Sequence, residues 1–176
     1  MKELKYLDRK CKSMRLQNEL SQNGEVFTIW SHLGANNGFI VENQSFFNQT
    51  TDRDMKRIIV DFTNCLKEEN RHLKRQLIKI GIKPTPALTV HSKVKIKTVR
   101  AKTRLSDTDI SAALSMNIAT SLITTSTALG EAISEDNVKR YAQFHMKKAI
   151  LGAKLIELSN NKKWFPAPTT RSIKSR

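Results

Sequence analysis

The sequence predicts an all-α protein, a four-helix bundle built from two αα-hairpins. Three observations carry this. Apolar residues recur at three- to four-residue spacing in four long segments. Short capping runs open three of those segments, and Gly, Asn or Pro follow their ends. The second half of the chain echoes the first at an offset of 81 to 83 residues.

The first helix reads from about Gly24 to Phe47, with Val26, Trp30, Leu33, Asn37, Ile40, Gln44 and Phe47 on its stripe. Gly34 and Gly38 in its middle would allow a neighbour to approach closely. The second opens at Thr51-Asp52-Arg53-Asp54, where Thr51 is placed to cap free amides. Its stripe takes in Met55, Ile58, Phe62, Leu66, Glu69, His72, Leu73 and Leu77. Gly81 stops it, and Pro84-Thr85-Pro86 prevents continuation. The third opens at Ser106-Asp107-Thr108-Asp109 and carries Ile110, Leu114, Asn117, Ile118, Ser121, Leu122 and Thr125. The fourth opens at Ser134-Glu135-Asp136. It carries Val138, Tyr141, Ala142, His145, Ala149, Gly152, Leu155, Ile156 and Ser159, and ends at Asn160-Asn161.

The repeat pairs Asp54-Met55-Lys56-Arg57 with Asn137-Val138-Lys139-Arg140, and Pro84-Thr85-Pro86 with Pro166-Ala167-Pro168. Short turns make each hairpin antiparallel. The stretch between the hairpins, 81–104, is long enough to travel the length of a bundle, since about 25 helical residues span roughly 38 Å. Short, long, short connections describe the ferritin-like topology with one long crossover. An up-down-up-down bundle with a loose loop is the alternative. The chain then divides into a basic arm (1–20), the bundle (21–168, with its crossover at 82–104) and a basic tail (169–176).

The net charge is +15, from 31 Lys and Arg against 16 Asp and Glu. It is unevenly placed along the chain: 1–15 carries +4, 90–104 carries +6 and 162–176 carries +5, so the rest is balanced. Lys93, Lys95, Lys97, Arg100, Lys102 and Arg104 form a run without an acid, a candidate polyanion-binding segment. It holds no aromatic residue on which a base could stack, which argues against specific recognition of nucleic acid. In the arm, Leu4, Leu7, Cys11 and Met14 mark a basic amphipathic helix suited to an anionic surface, or to packing on the bundle. Cys11 and Cys65 are the only cysteines, too few and too far apart for a zinc site or a disulfide framework. Together with the absence of an apolar leader, they imply a reducing, cytoplasmic setting. Residues 110–130 lack charge, but nine of them are Ser, Thr or Asn, so no transmembrane segment is expected.

A dinuclear carboxylate site in such a bundle needs Glu from two helices and Glu-x-x-His from the other two. Only Glu69-Asn70-Arg71-His72 is present, and no acid falls between Asp109 and Glu131. A single divalent metal ion held by Glu69 and His72 with His145, or with His32, is one reading. The other is that Glu69 pairs with a Lys or Arg at a helix edge, His72 bonds within the bundle, and no cofactor binds. Asn117, Ser121 and Thr125 would form a polar seam towards Asn37, Gln44 or His145. Nucleotide-binding and hydrolase motifs are missing, and Cys65 and His72 stand about 10 Å apart along their helix, too far for a nucleophile and its base. The expectation is a protein that is not an enzyme.

Several short stretches resemble a known group. They are Phe27-Thr28-Ile29-Trp30, Cys65-Leu66 through His72-Leu73, Ile82-Lys83-Pro84-Thr85-Pro86, Arg104-Leu105-Ser106-Asp107 and Lys163-Trp164-Phe165-Pro166-Ala167-Pro168. Over about residues 24–168 the chain resembles an uncharacterised family of spore-forming bacteria. That domain of unknown function is similar to ferritin-like spore coat proteins of the coat F type. Many members carry two such units in tandem, whereas this chain has one. The resemblance implies a structural or association role in or on the spore, with protein partners or self-association. Alternatives read from the residues are a basic adaptor for nucleic acid or another polyanion, and a metal-binding ferritin relative with an incomplete site.

Overall fold

The computed structural model describes residues 2–86 and 104–165, with side chains from residue 24 onward. It contains α1 (Lys2–Gln49), α2 (Arg53–Lys79), α3 (Asp107–Glu131) and α4 (Glu135–Asn161), and no strand among the described residues. The first helix is longer than periodicity marked, because the arm and the first bundle helix are one continuous α1.

Local chemistry sets the ends. Asp52, not Thr51, caps α2, its Oδ1 accepting from the amides of Asp54 and Met55 at 2.9 Å each. Ser106 and Asp109 bond reciprocally across the first turn of α3, a capping box closed by Asp in place of Glu. Ser134 caps α4. The C-terminal ends of α2 and α4 are built alike. Gly81 takes φ 77°, and the Ile82 amide reaches back to the Leu77 carbonyl at 2.9 Å. At α4 the same place is held by Lys163 at φ 58°, with the Trp164 amide on the Ser159 carbonyl. The glycines of α1 are not points of close approach. A Cβ on Gly38 would meet nothing within 4 Å, and one on Gly34 would meet Thr85 at an ordinary 3.6 Å.

Contacts at the two ends fix the direction of every helix. Thr50 donates to Asp107, and the Leu105 amide donates to Gln49 Oε1 at 2.9 Å, so α3 starts where α1 ends. Lys162 pairs with Asp52 at 2.8 Å, so α4 ends where α2 starts. At the opposite end Asn137, in the first turn of α4, bonds Glu25 of α1 and Gln76 of α2. Helices α1 and α4 therefore run one way and α2 and α3 the other. Helices α2 and α3 are parallel and lie diagonally in the bundle. The connection between them must travel its full length, which is the ferritin-like topology, and the up-down-up-down alternative is excluded. The start of the crossover lies along α1: Thr85 donates to the Trp30 carbonyl at 2.9 Å and Asn37 donates to the Pro86 carbonyl at 3.3 Å. Residues 87–103 lie outside the described part of the chain.

The core is two apolar clusters. One gathers Phe46, Met55, Ile59, Phe62, Leu66, Ile110, Leu114, Ile118, Leu151 and Leu155. The other gathers Ile29, Leu33, Leu73, Leu77, Ala128, Tyr141 and Phe144. Helix α4 turns inward a face that shares Tyr141, Leu155 and Ser159 with the one the sequence marks but is rotated from it in the middle of the helix. Its buried residues are Tyr141, Phe144, Lys148, Leu151, Leu155 and Ser159. Ala142 and Ile156, from the expected stripe, are exposed, and so is Met146 beside them. The helix has two adjacent weakly apolar stripes, and only packing chooses between them. The buried face of α4 matches that of α2 at a uniform offset of 82, pairing Ile59 with Tyr141, Phe62 with Phe144, Leu66 with Lys148 and Leu73 with Leu155.

Lys163 holds a backbone conformation that costs a side-chain-bearing residue about 1 kcal/mol. Lys163→Gly is expected to raise unfolding free energy by about that amount, and Gly81→Ala to lower it by a similar amount, both measured by urea denaturation.

Candidate functional site

Between the two apolar clusters lies a polar layer, and each helix contributes to it. Along α2 it falls at Glu69, between Leu66 and Leu73. Along α4 it falls at Lys148, between Phe144 and Leu151. Along α3 it falls at Ser121 and Thr125, between Ile118 and Ala128. Helix α1 supplies His32 and Asn36, next to Leu33. All six of these side chains are buried, Glu69 and Lys148 completely.

The layer is organised by one ion pair. Lys148 Nζ lies 2.7 Å from Glu69 Oε2. The same ammonium donates to Thr125 Oγ1 at 2.6 Å and to the Ser121 carbonyl at 3.4 Å, so its three protons all have acceptors. Asn36 Nδ2 donates to Glu69 Oε2 at 2.9 Å. On the other carboxylate oxygen, His32 Nε2 is within ion-pair reach at 3.3 Å but is not aligned as a hydrogen bond. Burial alone would raise the Glu69 carboxyl. The His32 contact and the Lys148 charge outweigh it and bring the pKa down to about 2. Glu69 is therefore a carboxylate at any physiological pH.

The residues expected to bind metal are not gathered in one place. Glu69 faces Lys148 and His32. His72, one turn along α2, is half-buried and stands edge-on to Tyr141, with ring centroids 6.2 Å apart, and its Nε2 has no partner. Burial, with Arg140 and Arg75 close by, pushes the His72 pKa below its usual value, which favours the neutral ring. His145 lies at the α3–α4 edge, its Nδ1 3.3 Å from Ser126 Oγ. Among the described residues no group of three or more His, Cys, Asp or Glu side chains is placed to hold a metal ion. Glu69 does pair with a lysine, but with one in the middle of the core and not at a helix edge. The lysine escapes the sequence reading because it stands one position off the stripe marked on α4, beside Ala149. A cationic residue three and four places from the core positions Leu151 and Phe144 was the available signal.

The polar seam also differs from expectation. Asn117 donates to Glu42 at 2.7 Å on the α1–α3 edge. Asn37 accepts from Asn70 at 2.9 Å, and Gln44 bonds Asn48. Only Ser121 and Thr125 join the central layer, the first through its carbonyl and the second through its hydroxyl, both accepting from Lys148. Cys65 is a buried free thiol, and burial pushes its pKa up to about 11, so it is not a nucleophile at neutral pH. Tyr141, buried and bonded to Gln76 at 3.2 Å, is likewise pushed up. Of the six cations in the expected polyanion-binding run, Arg104 is described and exposed. Lys93, Lys95, Lys97, Arg100 and Lys102 lie outside the described residues. No described helix is long and apolar enough to cross a membrane.

Removing one member of a buried pair strands the other charge. Lys148→Ala is expected to cost about 3–5 kcal/mol, and the double replacement Glu69→Leu/Lys148→Met to recover most of it, read by a denaturation cycle. The folded pKa of Glu69 is below its unfolded value near 4.5, so its contribution is present above that pH and is lost as pH falls towards about 2. Stability should climb with pH across this window, and Glu69→Gln should flatten part of the climb.

Comparison with known proteins places this bundle. Residues 12–174 match the model of a family described as "Protein of unknown function (DUF3231)". The chain is 30% identical over 152 residues to the uncharacterised protein YvdQ of Bacillus subtilis (strain 168), covering 86% of this chain and 89% of that one. A crystal structure from Bacillus halodurans C-125, described as a "putative spore coat protein", superposes with a TM-score of 0.79 at 36% identity, covering 85% of this chain and 94% of the other. The match spans all four helices and both turns, and the chain belongs to the DUF3231 family.

Proposed function

We propose that the protein is a non-catalytic structural bundle that works by association with protein partners in or on the spore, with no resident cofactor. The observation that carries this is the Lys148 ammonium against Glu69. A carboxylate at the centre of a ferritin-like bundle is where a metal would be held. Here a fixed cation already neutralises it, and a second cation brought to the same oxygens would meet its repulsion in a poorly screened interior. What the centre then supplies is one packing register for four helices. Support for association comes from the outer surface. Helix α3 has no charged residue between Asp109 and Glu131, and Met116 and Ile123 on it stand exposed, as do Met146 and Ile156 on α4. The spore setting is supported by the Bacillus halodurans relative.

Two measurements test the reading. A tagged protein is expected in the coat fraction of purified spores, and its restriction to vegetative cells would overturn the spore assignment. Elemental analysis of the purified protein is expected to find less than one metal per chain. Stoichiometric metal that disappears in Glu69→Gln would defeat the cofactor-free reading.

A further inference from the structure

Counted by segment, the bundle carries almost no net charge; counted by face, it carries a great deal. Most described carboxylates are drawn to the bundle ends. Asp52, Asp54, Asp107 and Asp109 stand in or beside the first turns of α2 and α3, and Glu131, Glu135 and Asp136 at the α3–α4 turn. The cations are left on the flank. Lys67, Arg71 and Lys74 follow one another at four- and three-residue steps along α2, and Arg140, Lys147 and Lys154 at seven-residue steps along α4. Both spacings keep the side chains on one face of their helix. The two helices are antiparallel neighbours, and the two rows border the outer face of α2, which α1 flanks on the side of Lys67 and Lys74 and α4 on the other.

The groove along that face has a volume of about 870 Å³ and continues past Arg71 and Lys74 into a second hollow of about 560 Å³ beside His72, Arg75 and Arg140. Seven cations line the two together, against only Asp61 and Glu68. Lys147 is paired with Glu68 at 2.7 Å. The charged ends of Lys67, Arg71, Lys74, Arg140 and Lys154 have no hydrogen bond or ion pair among the described residues. Beneath the cations the lining is apolar, from Ile40 and Val41 of α1 and Ile150 and Leu151 of α4. One buried polar group also lines it. Asn70, 5% exposed, donates to Asn37 at 2.9 Å, while its own Oδ1 has no partner.

We propose that the basic surface along α2, between the flanking α1 and α4, docks an acidic, amphipathic segment of a partner polypeptide, with carboxylates on the two basic rows and apolar side chains against Ile40 and Ile150. The inference rests on the association reading and names the chemistry of the partner. Two features select polypeptide over nucleic acid. The apolar lining is aliphatic and offers no aromatic platform for a base. Asp61 and Glu68 on the wall would repel a continuous phosphodiester but can bond a peptide's donors. The basic rows supply long-range attraction and orientation, and the apolar lining supplies the contact that holds the segment.

The test uses the full-length protein and a fluorescein-labelled Glu/Leu amphipathic peptide of about 15 residues, long enough to run the groove as a helix. Anisotropy is read near physiological salt, about 0.15 M, where diffuse attraction to the basic arm and tail is damped. Lys67→Gln/Arg71→Gln/Lys74→Gln is expected to weaken binding about tenfold, and Ile150→Ser to weaken it further. Lys93→Gln/Lys95→Gln/Lys97→Gln in the crossover is expected to change it less than about twofold. All of these positions except Lys74 are exposed or lie in the crossover, and circular dichroism confirms that the fold is kept. The proposal is overturned if the peptide does not bind, if the groove triple binds as the wild type does, or if the crossover triple loses as much. It is also overturned, in favour of nucleic acid, if a labelled single-stranded oligonucleotide outcompetes the peptide and its binding is the one lost in the groove triple. Spore fractionation separates the two levels: unchanged peptide binding in the groove triple, with the protein still in the coat fraction, sinks the groove and leaves the association reading standing.

Discussion

The Lys148–Glu69 pair is the constraint around which the rest of the structure is arranged. Both groups are fully buried, so each would be costly alone, and their geometry is specific: one carboxylate oxygen shared by Lys148 and Asn36, with the ammonium returning to Thr125 and Ser121 on α3. A residue from every helix is needed to satisfy the two charges. A shift of any helix by one turn would leave a buried charge without its partners, whereas apolar side chains tolerate such slips far better. The pair therefore costs more than a hydrocarbon layer would in desolvation, and in return it selects one arrangement of four helices.

The same interaction sets the charge balance at the centre of the bundle. A ferritin-like core gathers carboxylates and must bring in cations to neutralise them. Here the cation is covalently part of α4. Chemistry at the centre is limited accordingly. The carboxylate is held ionised, the buried thiol of Cys65 is held protonated, and the Tyr141 hydroxyl is pushed further from ionisation. What distinguishes the protein lies on its outside, in the exposed uncharged face of α3 and in the basic flank of α2 and α4.

Much of the fold was legible along the chain. Four periodic segments, the Ser106 and Ser134 caps, the Gly81 stop and the long connection each rest on short-range chemistry that neighbours in sequence decide. Helix α2, with the strongest separation of apolar and charged sides, was read nearly residue for residue. Helices α1 and α4 were read correctly at Leu33, Asn37, Tyr141 and Leu155 but one position off elsewhere, at Trp30 and Phe47 for Ile29 and Phe46, and at His145 and Ala149 for Phe144 and Lys148. Both have small or polar residues in the core and apolar ones outside, so their periodicity supports two neighbouring faces almost equally.

The sequence by itself determined that this chain is helical, where three of its helices begin, and that two hairpins are joined by a long strap. Those properties follow from spacing, capping and composition, which are local. Which face of each weakly amphipathic helix turns inward, that Glu69 meets Lys148 and His32 and not His72 or His145, and that a charge-balanced body presents a basic flank were decided only in three dimensions. Each depends on which residues, far apart in the chain, the packing brings side by side, and an ion pair 79 residues long in sequence leaves no periodic trace to read.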